Sequence, residues 1–269
     1  MKLIKNLYII LFLFILTSLI LIYLRYINNF NYKCNLNRSI RIREKSILAD
    51  KLKVKKYITK NFPYMKTSKT YYSTKSFKDL LDFDYNSLPN KFVVKVNNSA
   101  GSNGVLIVSD RNKFKKENLY KIKSIYVHGN WPLVSYLIGK ENHYQLIEET
   151  YFIEEYLGIN LTEYKFLVID GKIVFTTVDY NRFGDEKHCK NIYNENFELY
   201  RDKFWGIKRC EFIDEKPKNF ELMKKFCRDF YEKTKIKFVR IDLYSINDDV
   251  YFSEFTFTPH NCMSLNNLL

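Results

Sequence analysis

The residues best suited to chemistry lie near the C-terminal end of the chain. Phe238 to Ile246 and Val250 to Phe257 read as two strands flanking Asn247-Asp248-Asp249. A three-residue loop sets Asp242 opposite Glu254 and Arg240 opposite Thr256, so one face carries these four side chains. The other face of the first strand carries Val239, Ile241 and Leu243 as core. Two carboxylates facing each other across a ladder repel unless a cation lies between them or one is protonated. Oxygen ligands of this kind suit Mg²⁺, which reaches phosphate oxygens, and Arg240 beside them is placed to clamp a phosphate. A salt bridge on a solvated sheet face accounts for the same residues equally well.

A second candidate is the loop Asn97 to Gly104. Gly101, Ser102, Asn103 and Gly104 expose backbone N–H groups with little side-chain obstruction, as a phosphate cradle requires. No Lys-Ser/Thr follows and the next element reads as a strand, so the loop is neither a Walker A motif nor a dinucleotide fingerprint. A plain hairpin loop is the alternative. Lys95, a charge in the apolar strand just before it, favours the phosphate reading. Asp82-Phe83-Asp84 has the form of a DxD metal site for a sugar nucleotide, or of an acidic loop patch. Glu154, Glu155 and Leu157 form a mixed acidic and apolar stretch that says little alone.

The elements that must position these groups follow from pattern. Ser46 to Asn61 has a rough helical period, and Phe220 to Thr234 a clear one through Leu222, Met223, Phe226 and Phe230. Phe92 to Val96 and Val105 to Val108 read as strands around the glycine loop. Tyr164 to Val168 and Lys172 to Val178 form a hairpin at Asp170-Gly171. Hairpins outnumber βαβ units, which predicts an α+β class with mainly antiparallel sheets.

The chain has 269 residues, with 44 Lys and Arg against 30 Asp and Glu, enough for one large domain or two small ones. The surplus of positive charge admits a nucleotide, nucleic acid or anionic membrane as partner, but no reader helix or aromatic RNA motif stands out. The five cysteines show no CxxC spacing, which argues against a disulfide framework and for a reducing compartment. His188 beside Cys189 is the nearest approach to a soft-metal pair.

Leu7 to Leu24 is almost purely apolar and long enough to approach the span of a bilayer core. It predicts an uncleaved single-pass anchor within residues 1–26. The heavier positive flank follows it, through Arg25, Lys33, Arg38, Arg41, Arg43 and Lys45, which places the catalytic domain in the cytosol. Residues 27–45 are expected as a basic stem on anionic headgroups, and 46–269 as the folded domain.

Taken in order, these blocks resemble the TupA-like proteins of the ATP-grasp superfamily, which act in surface polysaccharide biosynthesis. The similarity runs through Leu48-Ala49-Asp50-Lys51, Leu88-Pro89-Asn90-Lys91-Phe92-Val93-Val94-Lys95 and the small-residue loop. It continues through Glu154-Glu155-Tyr156-Leu157, Tyr164-Lys165-Phe166, Val178-Asp179 with Arg182, Val239 to Tyr244, and Glu254 to Phe257 before Pro259. The resemblance implies an ATP-grasp fold of two mainly antiparallel α+β subdomains with ATP held between two sheets. It implies Lys95 and the loop around Gly101 on the phosphates, and Glu154, Glu155 and Leu157 at the adenine hinge. Lys165 would reach phosphate or substrate, Asp242, Glu254 and Thr256 would hold Mg²⁺, and Arg240 would face the reacting phosphoryl group. The implied activity is a carboxylate–amine ligase that forms an acyl phosphate and modifies a glycan or glycan precursor. A type II membrane glycosyltransferase and a non-catalytic ATP-grasp protein are the alternatives. Asn98 stands where the family's loop has a histidine, and Thr256 where its metal pair has an asparagine. Relatives usually continue further past Pro259, so part of the acceptor pocket is expected to be absent.

Overall fold

The computed structural model describes residues 12–23, 29–38, 40–99, 104–122, 142–182, 187–201 and 208–262. Three short helices lead into the domain: α1 (Phe30–Arg38), α2 (Ile42–Ala49) and α3 (Lys53–Asn61). Then follow β1 (Thr70–Thr74), α4 (Phe77–Asp82), β2 (Phe92–Val96), β3 (Val105–Val108) and β4 (Tyr151–Glu155). The C-terminal half contains β5 (Glu163–Ile169), β6 (Lys172–Tyr180), β7 (Cys189–Tyr193), α5 (Phe220–Thr234), β8 (Phe238–Ile246) and β9 (Asp249–Thr256). They make a four-stranded sheet, β1-β4-β2-β3, and a five-stranded sheet, β7-β6-β5-β8-β9. Every ladder pairing is antiparallel, as the hairpin-rich pattern predicts.

β5 is central because all of its residues are buried, charged ones included. One face of the larger sheet meets α5, where Phe230 stacks on Phe255 at 4.2 Å between ring centres. The smaller sheet covers its own core of Phe77, Leu80, Leu88, Phe92 and Val94. The β5–β6 turn is built as expected: Asp170 and Gly171 both have positive φ, 49° and 78°. A side chain at Gly171 would meet the Tyr231 ring at 2.5 Å, so glycine is needed there for space as well.

The β8–β9 hairpin reaches the expected pairing by another route. Its loop has two residues, Asn247 and Asp248, with φ of 49° and 65°, and Ile246 pairs with Asp249. That turn alone would leave the register one residue short. A bulge between the Asp242 and Leu243 pairs leaves Ser253 over, and beyond it Asp242 faces Glu254 and Arg240 faces Thr256.

Other expectations are corrected. Ser46 to Asn61 is two helices, broken where the Asp50 carboxylate accepts from the N–H groups of Leu52 and Lys53 at 3.0 Å each. The expected stem holds α1, whose Phe30 and Cys34 are buried against Leu167, Ile169 and Phe238. Asn37 donates to the Phe238 carbonyl at 2.8 Å, tying α1 to β8. Two disulfides are present, Cys34–Cys262 and Cys189–Cys210, with Cys227 free and buried. The first joins residues 228 apart, a distance at which spacing carries no signal. Residues 12–23 are helical with mostly exposed apolar side chains, Phe14 at 69% and Leu21 at 65%. The rest of the expected anchor lies outside the described residues, and among those described no helix is long and apolar enough to cross a membrane.

Candidate functional site

The two sheets face each other across a cleft, which the larger sheet lines with Glu163, Tyr244 and Glu254, while Arg240, Asp242, Thr256 and Lys165 lie behind that lining. Arg240 lies between the carboxylates of the β8–β9 pair. Its Nε donates to Asp242 Oδ1 at 2.7 Å and its Nη2 to Asp242 Oδ2 at 2.6 Å. The same Nη2 donates to Glu254 Oε1 at 3.3 Å and to Thr256 Oγ1 at 3.0 Å. The cation between the two acids in this structure is the guanidinium, as in the salt-bridge reading, but Asp242 is buried where that reading expected a solvated face. Burial pushes the Asp242 carboxyl up by more than Arg240 and Lys165 pull it down. At Glu254 burial acts the same way, but Lys51 and Arg240 prevail and hold the carboxyl below its ordinary value.

Lys165 occupies the next position inward. On β5 it pairs in register with Asp242 of β8, and neighbouring Glu163 pairs with Asp179 of β6. Its ammonium is 2.5 Å from Glu163, 3.0 Å from Asp179 and 3.6 Å from Asp242. Burial alone would lower its pKa, yet these carboxylates outweigh burial and raise it. Arg182 closes the ring on Glu163 at 2.7 Å, and Asp179 also meets Lys190 at 3.2 Å and His188 at 3.1 Å. Glu163 is thereby held well below the carboxylate range despite burial. His188 is thus engaged by Asp179, and Cys189 by its disulfide, so the pair is no soft-metal site.

The smaller sheet supplies the basic wall. Lys95 of β2 lies 2.5 Å from Glu154 of β4, and Lys55 of α3 meets the same carboxylate. Ser68 Oγ donates to it at 2.8 Å. Burial would raise the Glu154 pKa, but Lys95 and Lys55 bring it down to about 2. Glu154, expected at the adenine hinge, lines the cleft and holds both lysines with its carboxylate. Glu155 and Leu157 line it too, with Val93, Ile107 and Phe152 as its apolar surface. Glu155 Oε2 also accepts from the Lys69 N–H at 3.1 Å.

After β2 the chain turns through Asn97, Asn98 and Ser99, while Gly101, Ser102 and Asn103 lie outside the described residues. Gly104 closes the loop with φ of 70°, its carbonyl accepting from Val96 N at 3.0 Å. An added Cβ there would strike Val96 at 2.5 Å and Ser99 at 2.9 Å, so position 104 itself requires glycine. Asp84 of the DxD stretch instead caps a turn, its Oδ1 accepting from Asn86 N at 3.0 Å. Phe83 stacks on Tyr72, which anchors that stretch under the smaller sheet.

These residues fit a magnesium nucleotide. Three lysines, Lys51, Lys55 and Lys95, offer donors to phosphates, and Val93, Ile107 and Phe152 an apolar surface to a base. Among the described residues no three His, Cys, Asp or Glu side chains gather to hold a metal alone. Asp242, Glu254 and the Thr256 hydroxyl form a set of two carboxylates, which suits Mg²⁺ arriving with phosphate oxygens of its own. Sequence reasoning gave no role to Glu163, Asp179, Lys55 or Lys51. The available signal was Glu163 and Lys165 at i and i+2 in an apolar run, two charges facing one way inside a buried strand.

Two antiparallel sheets closing on such a cleft define an ATP-grasp fold. The family model for TupA-like ATP-grasp proteins matches residues 32–267, and the chain belongs to that family. Among solved structures it is similar to D-alanine–D-alanine ligase from Helicobacter pylori, at 19% identity and TM-score 0.45, covering 82% of this chain and 60% of that one. It is also similar to N5-carboxyaminoimidazole synthetase from Staphylococcus aureus complexed with ADP, at 15% identity and TM-score 0.45, covering 82% and 48%. A third is the VanG D-alanine:D-serine ligase from Enterococcus faecalis, at 14% identity and TM-score 0.46, covering 84% and 57%. The chain spans less than two thirds of each of these proteins. No curated protein shows significant similarity to it.

Proposed function

We propose that this chain is an ATP- and Mg²⁺-dependent ligase that joins a carboxylate to an amine in making or modifying a glycan precursor, held at a membrane by the apolar segment within residues 1–26. The observation that carries the reading is the placement of Lys95 and Glu254 in the lining of one cleft, with the Lys165 carboxylate ring beside it. Lys95 holds phosphate, with Gly101 to Gly104 as the cradle that the sequence predicts, while Glu155 and Leu157 flank the base. Arg240 and Lys165 meet negative charge where it develops on the transferred phosphoryl group, and catalysis is positioning and charge neutralisation. Asp242, Glu254 and Thr256 would hold Mg²⁺, which supplies charge neutralisation of the phosphates.

A second reading, nucleotide binding without turnover, draws on one observation. Both Asp242 oxygens are already taken by Arg240. Thermal denaturation of the full chain, together with ATP consumption, separates the readings. The ligase reading expects ATP with Mg²⁺ at a hundred times its dissociation constant to stabilise the fold by about 2.7 kcal/mol, with the effect lost in EDTA and in Glu254→Ala. The same stabilisation with no ATP consumed in the presence of candidate carboxylates and amines supports the second reading. Stabilisation by a sugar nucleotide but not by ATP contradicts both.

A further inference from the structure

Lys51 belongs to neither sheet. It lies in the turn between α2 and α3, yet its side chain ends in the cleft. Its backbone N–H donates to the Asn97 carbonyl at 3.1 Å, and its ammonium donates to the Ser99 carbonyl. The same ammonium lies 3.4 Å from Glu254 Oε2 on the opposite sheet. One side chain, 11% exposed, thus bridges the loop after β2 and the acidic wall.

The other two lysines of the cleft are differently placed. Lys55 and Lys95 share the buried Glu154 carboxylate, which sits opposite Val93 on the apolar side. Lys51 stands at the far end, next to the Arg240, Asp242 and Glu254 group. An ammonium has three N–H donors, and here one goes to Ser99 while Glu254 faces it as an ion-pair partner.

We propose that Lys51 forms a terminal-phosphate subsite, its ammonium taking an oxygen of the last phosphate of a nucleoside triphosphate. This rests on the nucleotide reading of the cleft. It makes the helical N-terminal segment a third wall of the site, and it makes Lys51 the group that separates triphosphate from diphosphate. A terminal phosphate drawn to this end meets Lys51 and the Mg²⁺ ligands together, while the inner phosphates stay with Lys95.

The test is calorimetric titration of the full chain with ATP and with ADP, both in Mg²⁺. Lys51→Met is expected to weaken ATP about tenfold or more, the loss of a charged hydrogen bond, while ADP changes less than about twofold. Lys95→Met is expected to weaken both nucleotides alike. Equal losses for ATP and ADP in Lys51→Met, or no loss for ATP, overturn the subsite and leave the nucleotide cleft standing. A wild-type chain that binds neither nucleotide overturns the cleft and the subsite together. A measurement that needs no variant is amine acylation of the wild-type chain read by peptide mass. ATP should protect Lys51 more than ADP does, and equal protection contradicts the proposal.

Discussion

Glu154 holds two ammonium groups on one buried carboxylate, and this makes it an acid-sensitive residue. Its pKa falls from an ordinary 4.5 to about 2 in the fold. Stability from a depressed carboxylate is complete above the unfolded value and is lost as pH falls through the folded one, here between about pH 4.5 and 2. The loss is about 3 kcal/mol, seen as a falling urea midpoint that Glu154→Gln should flatten in that window. His143 adds an earlier loss. It is buried and neutral, brought from 6.5 to about 3 by burial first and then by Lys45 and Arg38. The unfolded chain takes up the proton that the native one refuses, so stability declines as pH falls from about 6.5 toward 3. His143→Phe should remove that earlier decline and leave the Glu154 one. At Lys165 the risk is of another kind, since Lys165→Met leaves the buried carboxylates of Glu163, Asp179 and Asp242 without their shared ammonium. We expect destabilisation of about 3–5 kcal/mol by urea denaturation at neutral pH.

The β8–β9 hairpin shows what was legible in the chain and what was not. Alternation gave the faces of both strands, and the pairing of Asp242 with Glu254 followed from an assumed three-residue loop. The real turn has two residues, and the spare one appears as Ser253 in the bulge, so the two differences cancel beyond it. Deleting Ser253 should keep Asp242 opposite Glu254 in a ladder without the bulge. Inserting one residue between Ser253 and Glu254 should turn Phe255 out of the core and lose cooperative thermal unfolding. β5 was legible as a strand, but its carboxylate ring was not, because Glu163 meets Asp179 and Tyr244 only once three strands align. Lys51 lies in a block that carries the family resemblance but shows no role in sequence, since a turn residue meets its target only when two sheets are folded around it.

At the scale of the molecule, the Cys34–Cys262 disulfide ties α1 to the turn after β9, so both ends of the described domain are fastened beside the larger sheet. In the chain-entropy picture a link across 228 residues stabilises by roughly 5 kcal/mol, and the Cys189–Cys210 link across 21 by roughly 3. Cys34→Ser should therefore lower the denaturation midpoint more than Cys189→Ser. Disulfides persist on the oxidising side of a membrane, so we expect the domain there, in reversal of the orientation that the flanking charge favours. Alkylation of the unfolded, unreduced chain should then modify Cys227 alone of the five cysteines. Five modified thiols would return the domain to a reducing compartment.

The proposed function requires a magnesium nucleotide bound between the sheets, with Lys95 at one end of its phosphates and Glu254 at the other. Calorimetric titration of the full chain with ATP tests it most directly. Saturable binding in Mg²⁺, weakened about tenfold or more in EDTA, in Glu254→Ala and in Lys95→Met, is the result expected. Heat from a sugar nucleotide with none from ATP, or ATP binding that ignores all three changes, would contradict it.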